Sequence, residues 1–254
     1  MLRLDRKVIA VTGGASGIGE AIVRLFANEG AVVEFCSRGR QQGAAVESSV
    51  EESGGTAMYT CCDVTDEIAV EAWFNDIIQR RGRLDGLVNN AGITTSGPVE
   101  EMPLVKWDEI LNINVTGMFL TTRSAIPLLR AASGGSIVNL GSTFGIVGAP
   151  NSVAYGITKA AAISFSKSLA LELAPDGIRV NALCPGGTET PFTEQWLNAA
   201  EDPVALRASL ESSHPIGRLA TTAEQADAAL FLISEQSSFV TGHALVVDGG
   251  YTSR

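Results

Sequence analysis

Tyr155 and Lys159 stand four positions apart at the end of the segment S-T-F-G-I-V-G-A-P-N-S-V-A-Y-G-I-T-K, which begins at Ser142. If residues 152–174 form a helix, that spacing puts both side chains on one face, one turn apart. A free phenol, with a pKa of about 10, is a poor acid at neutral pH. A fixed ammonium nearby favours the phenolate and lowers that value, so the pair can exchange a proton under working conditions. Ser142 follows an apolar run at 136–140, and a short Gly/Pro loop separates it from the helix that carries Tyr155. Hydroxyl, phenol and ammonium are therefore expected together at the carboxyl end of a strand, the edge at which open α/β sheets bind ligands.

A second chemical signal lies near the start of the chain. Residues 7–12 (K-V-I-A-V-T) read as a buried strand and run into Gly13-Gly14-Ala15-Ser16-Gly17-Ile18-Gly19. A helical pattern to Glu29 follows, with Ile18, Ile22, Leu25 and Phe26 on one face. Strand, glycine turn and helix are the context in which backbone N–H groups at a helix start hold a pyrophosphate. The spacing G-x-x-x-G-x-G departs from the more familiar G-x-G-x-x-G, and a plain βα turn is the competing reading. Asn89-Asn90-Ala91-Gly92 after another short apolar run, together with Y-x-x-x-K, argues for the dinucleotide reading.

The elements needed to position these groups alternate regularly. Strands are expected at 32–36, 57–61, 86–88, 136–140, 179–184 and 244–247, and helices at 41–52, 67–81, 103–132, 152–174 and 222–233. Asp63 or Asp66 is placed to cap the third helix, and Asn151 or Ser152 the one bearing Tyr155. The long 103–132 helix contains N-I-N-V-T-G at 112–117, which is poor in helix formers, so a local bulge is expected there. This order predicts one α/β domain over 1–254, a Rossmann-like, doubly wound parallel sheet of about seven strands flanked by helices. Residues 188–218 are polar and interrupted by prolines, and read as a lid over the site.

Composition excludes several classes. A chain of 254 residues buries enough surface to fold without staples. Eighteen basic against twenty-eight acidic residues, a net charge of -10, argues against a nucleic-acid surface. Cys36, Cys61, Cys62 and Cys184 show no metal-ligand spacing with one another or with His214 and His243, so no metal is expected. No leader pattern follows Met1, and no uncharged apolar run reaches the eighteen or so residues of a membrane span. A cytoplasmic protein that does not engage membranes is expected.

Taken together, T-G-x-x-x-G-I-G, N-N-A-G, the serine after the 136–140 strand, Y-x-x-x-K and P-G at 185–186 resemble the short-chain dehydrogenase/reductase family over nearly the whole chain. The resemblance implies a catalytic set of Asn114, Ser142, Tyr155 and Lys159. Ser142 would hydrogen-bond the substrate oxygen and Tyr155 exchange its proton. Lys159 would lower the tyrosine pKa and hold the nicotinamide ribose, and Asn114 would hold a water in a relay to the lysine. It also implies a cofactor site made by Gly13, Ser16, Gly17, Ile18, Gly19, Ser37, Arg38, Asp63, Val64, Asn90, Ala91, Gly92, Tyr155, Lys159, Pro185, Gly186, Thr188 and Thr190.

Which dinucleotide is bound turns on the end of the second strand. A carboxylate there would bind a ribose 2′-hydroxyl. The chain has Ser37-Arg38 instead, which suits the 2′-phosphate of NADP. Glu34 would support NAD if the strand register slipped, and NAD is kept as the alternative.

The implied reaction is hydride transfer between nicotinamide and a carbonyl or secondary alcohol of a small ketone, sugar or polyol. The competing readings are a 3-oxoacyl-(carrier protein) reductase and a dinucleotide-binding sensor or scaffold without turnover. Thr94, Phe144, Val147, Phe192 and Trp196 are candidates for the substrate pocket. In the family the long helices pack against a second subunit, which implies a homotetramer or a dimer.

Overall fold

The computed structural model describes residues 2–198 and 200–253. Among the described residues seven parallel strands form one sheet: β1 (Val8–Thr12), β2 (Val32–Ser37), β3 (Thr56–Cys61), β4 (Gly86–Asn89), β5 (Gly135–Leu140), β6 (Ile178–Pro185) and β7 (Ala244–Val247). Their order is β3-β2-β1-β4-β5-β6-β7. The order reverses between β1 and β4, which opens a crevice at the carboxyl edge. The helices are α1 (Gly17–Asn28), α2 (Arg40–Glu52), α3 (Glu67–Arg81), α4 (Leu104–Leu111), α5 (Gly117–Ala131), α6 (Val153–Leu173), α7 (Pro191–Asn198), α8 (Pro203–Ser212) and α9 (Thr222–Ile233). No helix is long and apolar enough to cross a membrane among the described residues.

Alternation along the strands separates two cores. On β1, Ile9 and Val11 join Ile22 and Phe26 of α1 and Leu230 of α9 on one face of the sheet. Val8 and Ala10 face the other way, against Trp73, Phe74 and Ile77 of α3, Leu129 of α5 and Leu169 of α6. The site-bearing helix α6 is thus fastened along one face of a sheet buried on both sides.

Three local expectations are resolved. Asp66, not Asp63, caps α3, accepting from the Ala69 amide at 3.1 Å. Neither Asn151 nor Ser152 caps α6 with its side chain. Ser152 holds the cap position but its hydroxyl donates to the Pro150 carbonyl, and Asn151 turns the chain at φ +58°. The expected 103–132 helix is α4 and α5 joined by one π turn over Asn112–Thr116, the segment poor in helix formers.

A polar network inside this apolar frame was not apparent from periodicity. Asn89 at the end of β4 donates to Thr122 and to Asn139 of β5, and accepts from Thr121. Asn139 in turn donates to Ser166 of α6. All five side chains are buried, so each bond is made where an unpaired group would be costly. The network fixes α5 and α6 to the sheet just below the site.

Candidate active site

The carboxyl end of β5 runs into Ser142, whose extended backbone starts a short 3₁₀ turn at Thr143–Gly145. Its Oγ accepts from the Phe144 amide at 3.2 Å. Gly145 packs directly on the α6 backbone, where an added Cβ would stand 2.6 Å from the Lys159 carbonyl carbon. That close approach lets α6 bring Tyr155 to Ser142. Burial raises the Tyr155 pKa, and a hydrogen bond with Ser142 acts in the opposite sense.

Lys159 lies one turn further along α6 and is buried. Its Nζ donates to the Leu140 carbonyl at 2.7 Å, at the end of β5, and stands 5.5 Å from the centre of the Tyr155 ring. Desolvation brings its pKa down to about 8. The expected electrostatic effect of the lysine on the phenol is therefore outweighed in this arrangement. Burial dominates both groups, raising the acid and weakening the cation, and Ser142 makes the bond that favours phenolate.

Asn114 sits in the π turn and is buried. Its Oδ1 accepts from the Ile93 amide at 2.8 Å, while Nδ2 donates to the Ile93 carbonyl and to Thr158 Oγ1. Both amide hydrogens are committed. A water held by Asn114 must be bound by a remaining oxygen lone pair or by its main chain, rather than by a side-chain N–H as donor. Asn114 therefore ties the loop after β4 to α6, directly under Gly92.

The dinucleotide residues meet along the opposite side of the crevice. Gly13 and Gly17 adopt φ of +66° and +56°, which favours glycine. A Cβ on Gly19 would lie 2.2 Å from the Gly13 carbonyl oxygen and 2.4 Å from Asn90 Nδ2. Asn90 donates to the Thr12 and Gly13 carbonyls, locking the glycine turn to β4. Ser16 is exposed at the α1 cap without capping it, which leaves first-turn N–H groups free for an anion, and Ile18 packs on the core.

A cleft of about 150 Å³ continues from Gly13 past Cys36, Ser37, Arg38, Asp63, Val64, Ala91, Gly92, Ile93 and Ile113. Val64 is buried, and Asp63 accepts from Thr65 N and Oγ1. Arg38 is largely exposed, and its closest carboxylate is Asp63 at 4.0 Å. The Ser37 hydroxyl makes only a long contact, 3.5 Å, to the Gly39 carbonyl.

Glu34 does not reach this cleft. It aligns with Ala10 and Met58 in the sheet, is fully buried, and is held by Arg80 at 2.8 Å and Arg81 at 2.7 Å in the last turn of α3. The alternative in which a shifted register carries Glu34 to the ribose is overturned, because its charge is required to balance that arginine pair.

Pro185 is buried at the end of β6, and Gly186 and Thr190 are half-buried in the loop that follows. Thr190 stands across from Gly17, its methyl 3.6 Å from where a Cβ there would be, and accepts from the Thr193 amide at the start of α7. Thr188 is different. Its side chain is buried and donates to the Gly186 carbonyl at 3.0 Å, which leaves its oxygen only as an acceptor, and its own carbonyl accepts from Thr193 Oγ1 at 2.7 Å. Among its described residues the 188–218 segment carries two helices, α7 and α8, each opening on a proline.

Of the pocket candidates, Phe144 stands edge-on to Tyr155 with ring centres 6.3 Å apart. Thr94 and Val147 are half-buried, whereas Phe192 and Trp196 lie on α7 with 53% and 39% of their surface exposed. Two aromatic residues escaped the sequence reading. Tyr251, in the C-terminal turn, packs on Phe144 at 6.3 Å and on His214 at 5.3 Å. Their only sequence signal was an isolated Tyr and an isolated His outside any motif.

A nucleophile-free proton donor, a buried lysine and a phosphate-sized glycine turn converge on one sheet edge, and comparison with known proteins agrees with that chemistry. A family model described as enoyl-(acyl carrier protein) reductase matches residues 13–252. The chain belongs to the short-chain dehydrogenase/reductase family. It is 43% identical over 253 residues to a cyclopentanol dehydrogenase of Comamonas sp. (strain NCIMB 9872), covering 100% of both chains. It is 39% identical over 249 residues to a 3-oxoacyl-[acyl-carrier-protein] reductase of Thermotoga maritima, covering 98% of this chain and 99% of that one. The solved structure of levodione reductase superposes with a TM-score of 0.95 at 31% identity, covering 99% of both chains.

The short-chain dehydrogenase/reductase assigned here is an oxidoreductase that moves a hydride between a nicotinamide dinucleotide and an alcohol or carbonyl carbon of a small substrate. The cleft fits that cofactor on its own terms. Its glycine turn has no Cβ to block a pyrophosphate, its floor at Val64 and Ile113 is apolar, and Ser37 and Arg38 stand at its outer end. When bound, the dinucleotide supplies or accepts the hydride.

Proposed function

We propose that the protein interconverts a secondary alcohol and a ketone on a small alicyclic substrate, using NADP(H). The observation that carries this reading is the meeting of Ser142, Tyr155 and Lys159 at the end of β5, beside a cleft that ends in Ser37 and Arg38. Ser142 donates to the substrate oxygen, and Tyr155 gives or takes the proton on that oxygen. Lys159, fixed by Leu140, supplies positive charge behind the phenol and binds ribose hydroxyls. Asn114 holds the loop above the lysine in place and, through its free oxygen lone pair or backbone, connects Lys159 to solvent.

NADP is favoured because β2 runs into Ser37 and Arg38 rather than into an acidic residue, and because Arg38 is largely exposed, its ion pair with Asp63 being a loose one at 4.0 Å. An alicyclic substrate is favoured by the aromatic rings beside the reacting phenol, Phe144 edge-on to Tyr155 and Tyr251 packed on Phe144, and by the cyclopentanol dehydrogenase relative. The chain works as one catalytic domain with α7 and α8 as its lid. Exposed apolar side chains on α4 (Leu104, Val105), α5 (Phe119) and α6 (Val153, Ile157, Leu171) support burial against further copies in a homotetramer.

The carrier-protein reductase reading rests on the Thermotoga maritima relative. An acidic carrier needs free basic groups. Of the basic groups that could form such a patch, Arg123 is paired with Glu67 and Glu71 and Arg130 with Asp176, which leaves the exposed Lys167 alone to meet a carrier. The test is a comparison of kcat/KM for cyclopentanol and cyclohexanol with NADP+ and with NAD+, alongside a β-ketoacyl thioester with NADPH. Alicyclic substrates with NADP(H) should lead by at least tenfold, and a lead for the thioester would replace this reading.

A further inference from the structure

We propose that His214 is a positioning residue that locks the loop after β6 to the lid, and that it does so only as the neutral imidazole carrying its proton on Nδ1. The inference rests on the reading of 185–190 as a cofactor-contacting loop.

His214 follows α8 and is 3% exposed. Its Nδ1 lies 2.8 Å from the Leu210 carbonyl of α8, which can only accept, so Nδ1 bears the hydrogen. Its Nε2 lies 3.0 Å from the Gly187 amide, which can only donate, so Nε2 is bare. The Ser213 hydroxyl, 3.2 Å from Nδ1, donates to the same Leu210 carbonyl at 2.6 Å and so turns an oxygen lone pair toward Nδ1–H, and all three contacts agree on one tautomer.

The contact is tight on the loop side. A Cβ on Gly187 would stand 2.8 Å from His214 Cε1, so the ring occupies the space that any other residue at 187 would need. The chain beyond His214 then runs alongside the loop. The Ala220 amide donates to the Gly187 carbonyl at 2.9 Å, and the Glu189 amide to the Ala220 carbonyl at 2.8 Å.

The same ring packs on Tyr251, Tyr251 packs on Phe144, and Phe144 stands edge-on to Tyr155. Ile216, two residues on, donates to the Gly249 carbonyl. The lid, the Pro185–Thr188 turn and the C-terminal turn therefore meet at one imidazole. Removing the Nε2 acceptor leaves the half-buried Gly187 amide without that partner, and the turn that presents Pro185 and Gly186 is no longer fixed.

Two substitutions separate this role from simple packing. His214→Gln can place Oε1 where Nε2 stands and keep the acceptor. His214→Asn reaches only as far as Nδ1 and keeps the donor to Leu210. NADPH dissociation constants are read by nicotinamide fluorescence, together with Tm of the cofactor-free proteins. His214→Gln is expected to bind within about threefold of wild type and His214→Asn at least tenfold more weakly, with cofactor-free Tm values within a few degrees. Equal weakening in both variants would overturn the proposal, because packing alone would explain it.

Should His214→Asn fail to fold, wild-type protein labelled with ¹⁵N-histidine carries the test, since the chain has only two histidines. One must show the Nδ1–H tautomer, and finding Nε2–H in both contradicts the assignment. Wild-type protein that binds neither NADPH nor NADH would sink the functional reading while leaving the tautomer result to decide this one.

Discussion

Substituting Lys159 by Met should change the pH dependence of stability in a calculable way. Burial lowers the lysine pKa from 10.5 to about 8 in the folded protein. Between those values the unfolded chain binds more protons than the folded one, so stability contributed by this group rises with pH. With the two pKa values, the folded state carries a penalty of about 3 kcal/mol at pH 7, which falls to about 1 kcal/mol at pH 9.5. Lys159→Met removes the titration, although it also leaves the Leu140 carbonyl without its donor, a loss that does not vary with pH. The difference in unfolding free energy between wild type and Lys159→Met should therefore shift by about 2 kcal/mol in favour of wild type from pH 7 to pH 9.5. Urea unfolding of both proteins, cofactor-free and at one fixed concentration, measures it. Stopping at pH 9.5 keeps Tyr155, whose pKa is raised, protonated throughout. A difference that stays flat across this range would refute the argument, because it would mean that Lys159 titrates as a free lysine.

Arg38→Ala should weaken NADPH binding at least tenfold, about 1.4 kcal/mol, and leave NADH binding within twofold, as two fluorescence titrations would show. Equal loss of both would remove Arg38 as a phosphate ligand. Glu34→Gln leaves two arginines without their buried counter-charge and should cost about 3 kcal/mol, lowering Tm by roughly 6–12 °C for a domain of this size. NADH and NADPH affinities should not move with it. A selective loss of NADH binding would return Glu34 to the ribose.

Much of this arrangement was legible because one physical signal governed each part. Alternating buried strands and amphipathic helices dictate the doubly wound sheet, and the glycines of 13–19 mark the tight turn from β1 into α1. The π turn at Asn112–Thr116 was visible as a run that helices avoid. Long-range pairing was not legible. Nothing near Glu34 says that Arg80 and Arg81, nearly fifty residues away, will neutralise it, and the register that decides this is set by β1 and β3 together. The direction of the Tyr155 pKa was misjudged for a similar reason. Spacing on a helix reveals that Lys159 is near, but only the packed structure reveals that desolvation dominates both groups. The bond by which the Thr188 hydroxyl closes its own turn was likewise invisible in the sequence. His214 and Tyr251 lie in segments without periodicity, and they matter only because the fold brings three chain segments to one point.

The central claim is that Tyr155 moves the proton, its contact with the cofactor being one among many. Single-turnover reduction of cyclohexanone with wild type and Tyr155→Phe, each saturated with NADPH and monitored by nicotinamide absorbance, tests it directly. The account predicts a loss of 10²- to 10⁴-fold in the rate, with the NADPH dissociation constant changed by no more than about threefold. A Tyr155→Phe protein that retains more than about a tenth of the wild-type rate would contradict it.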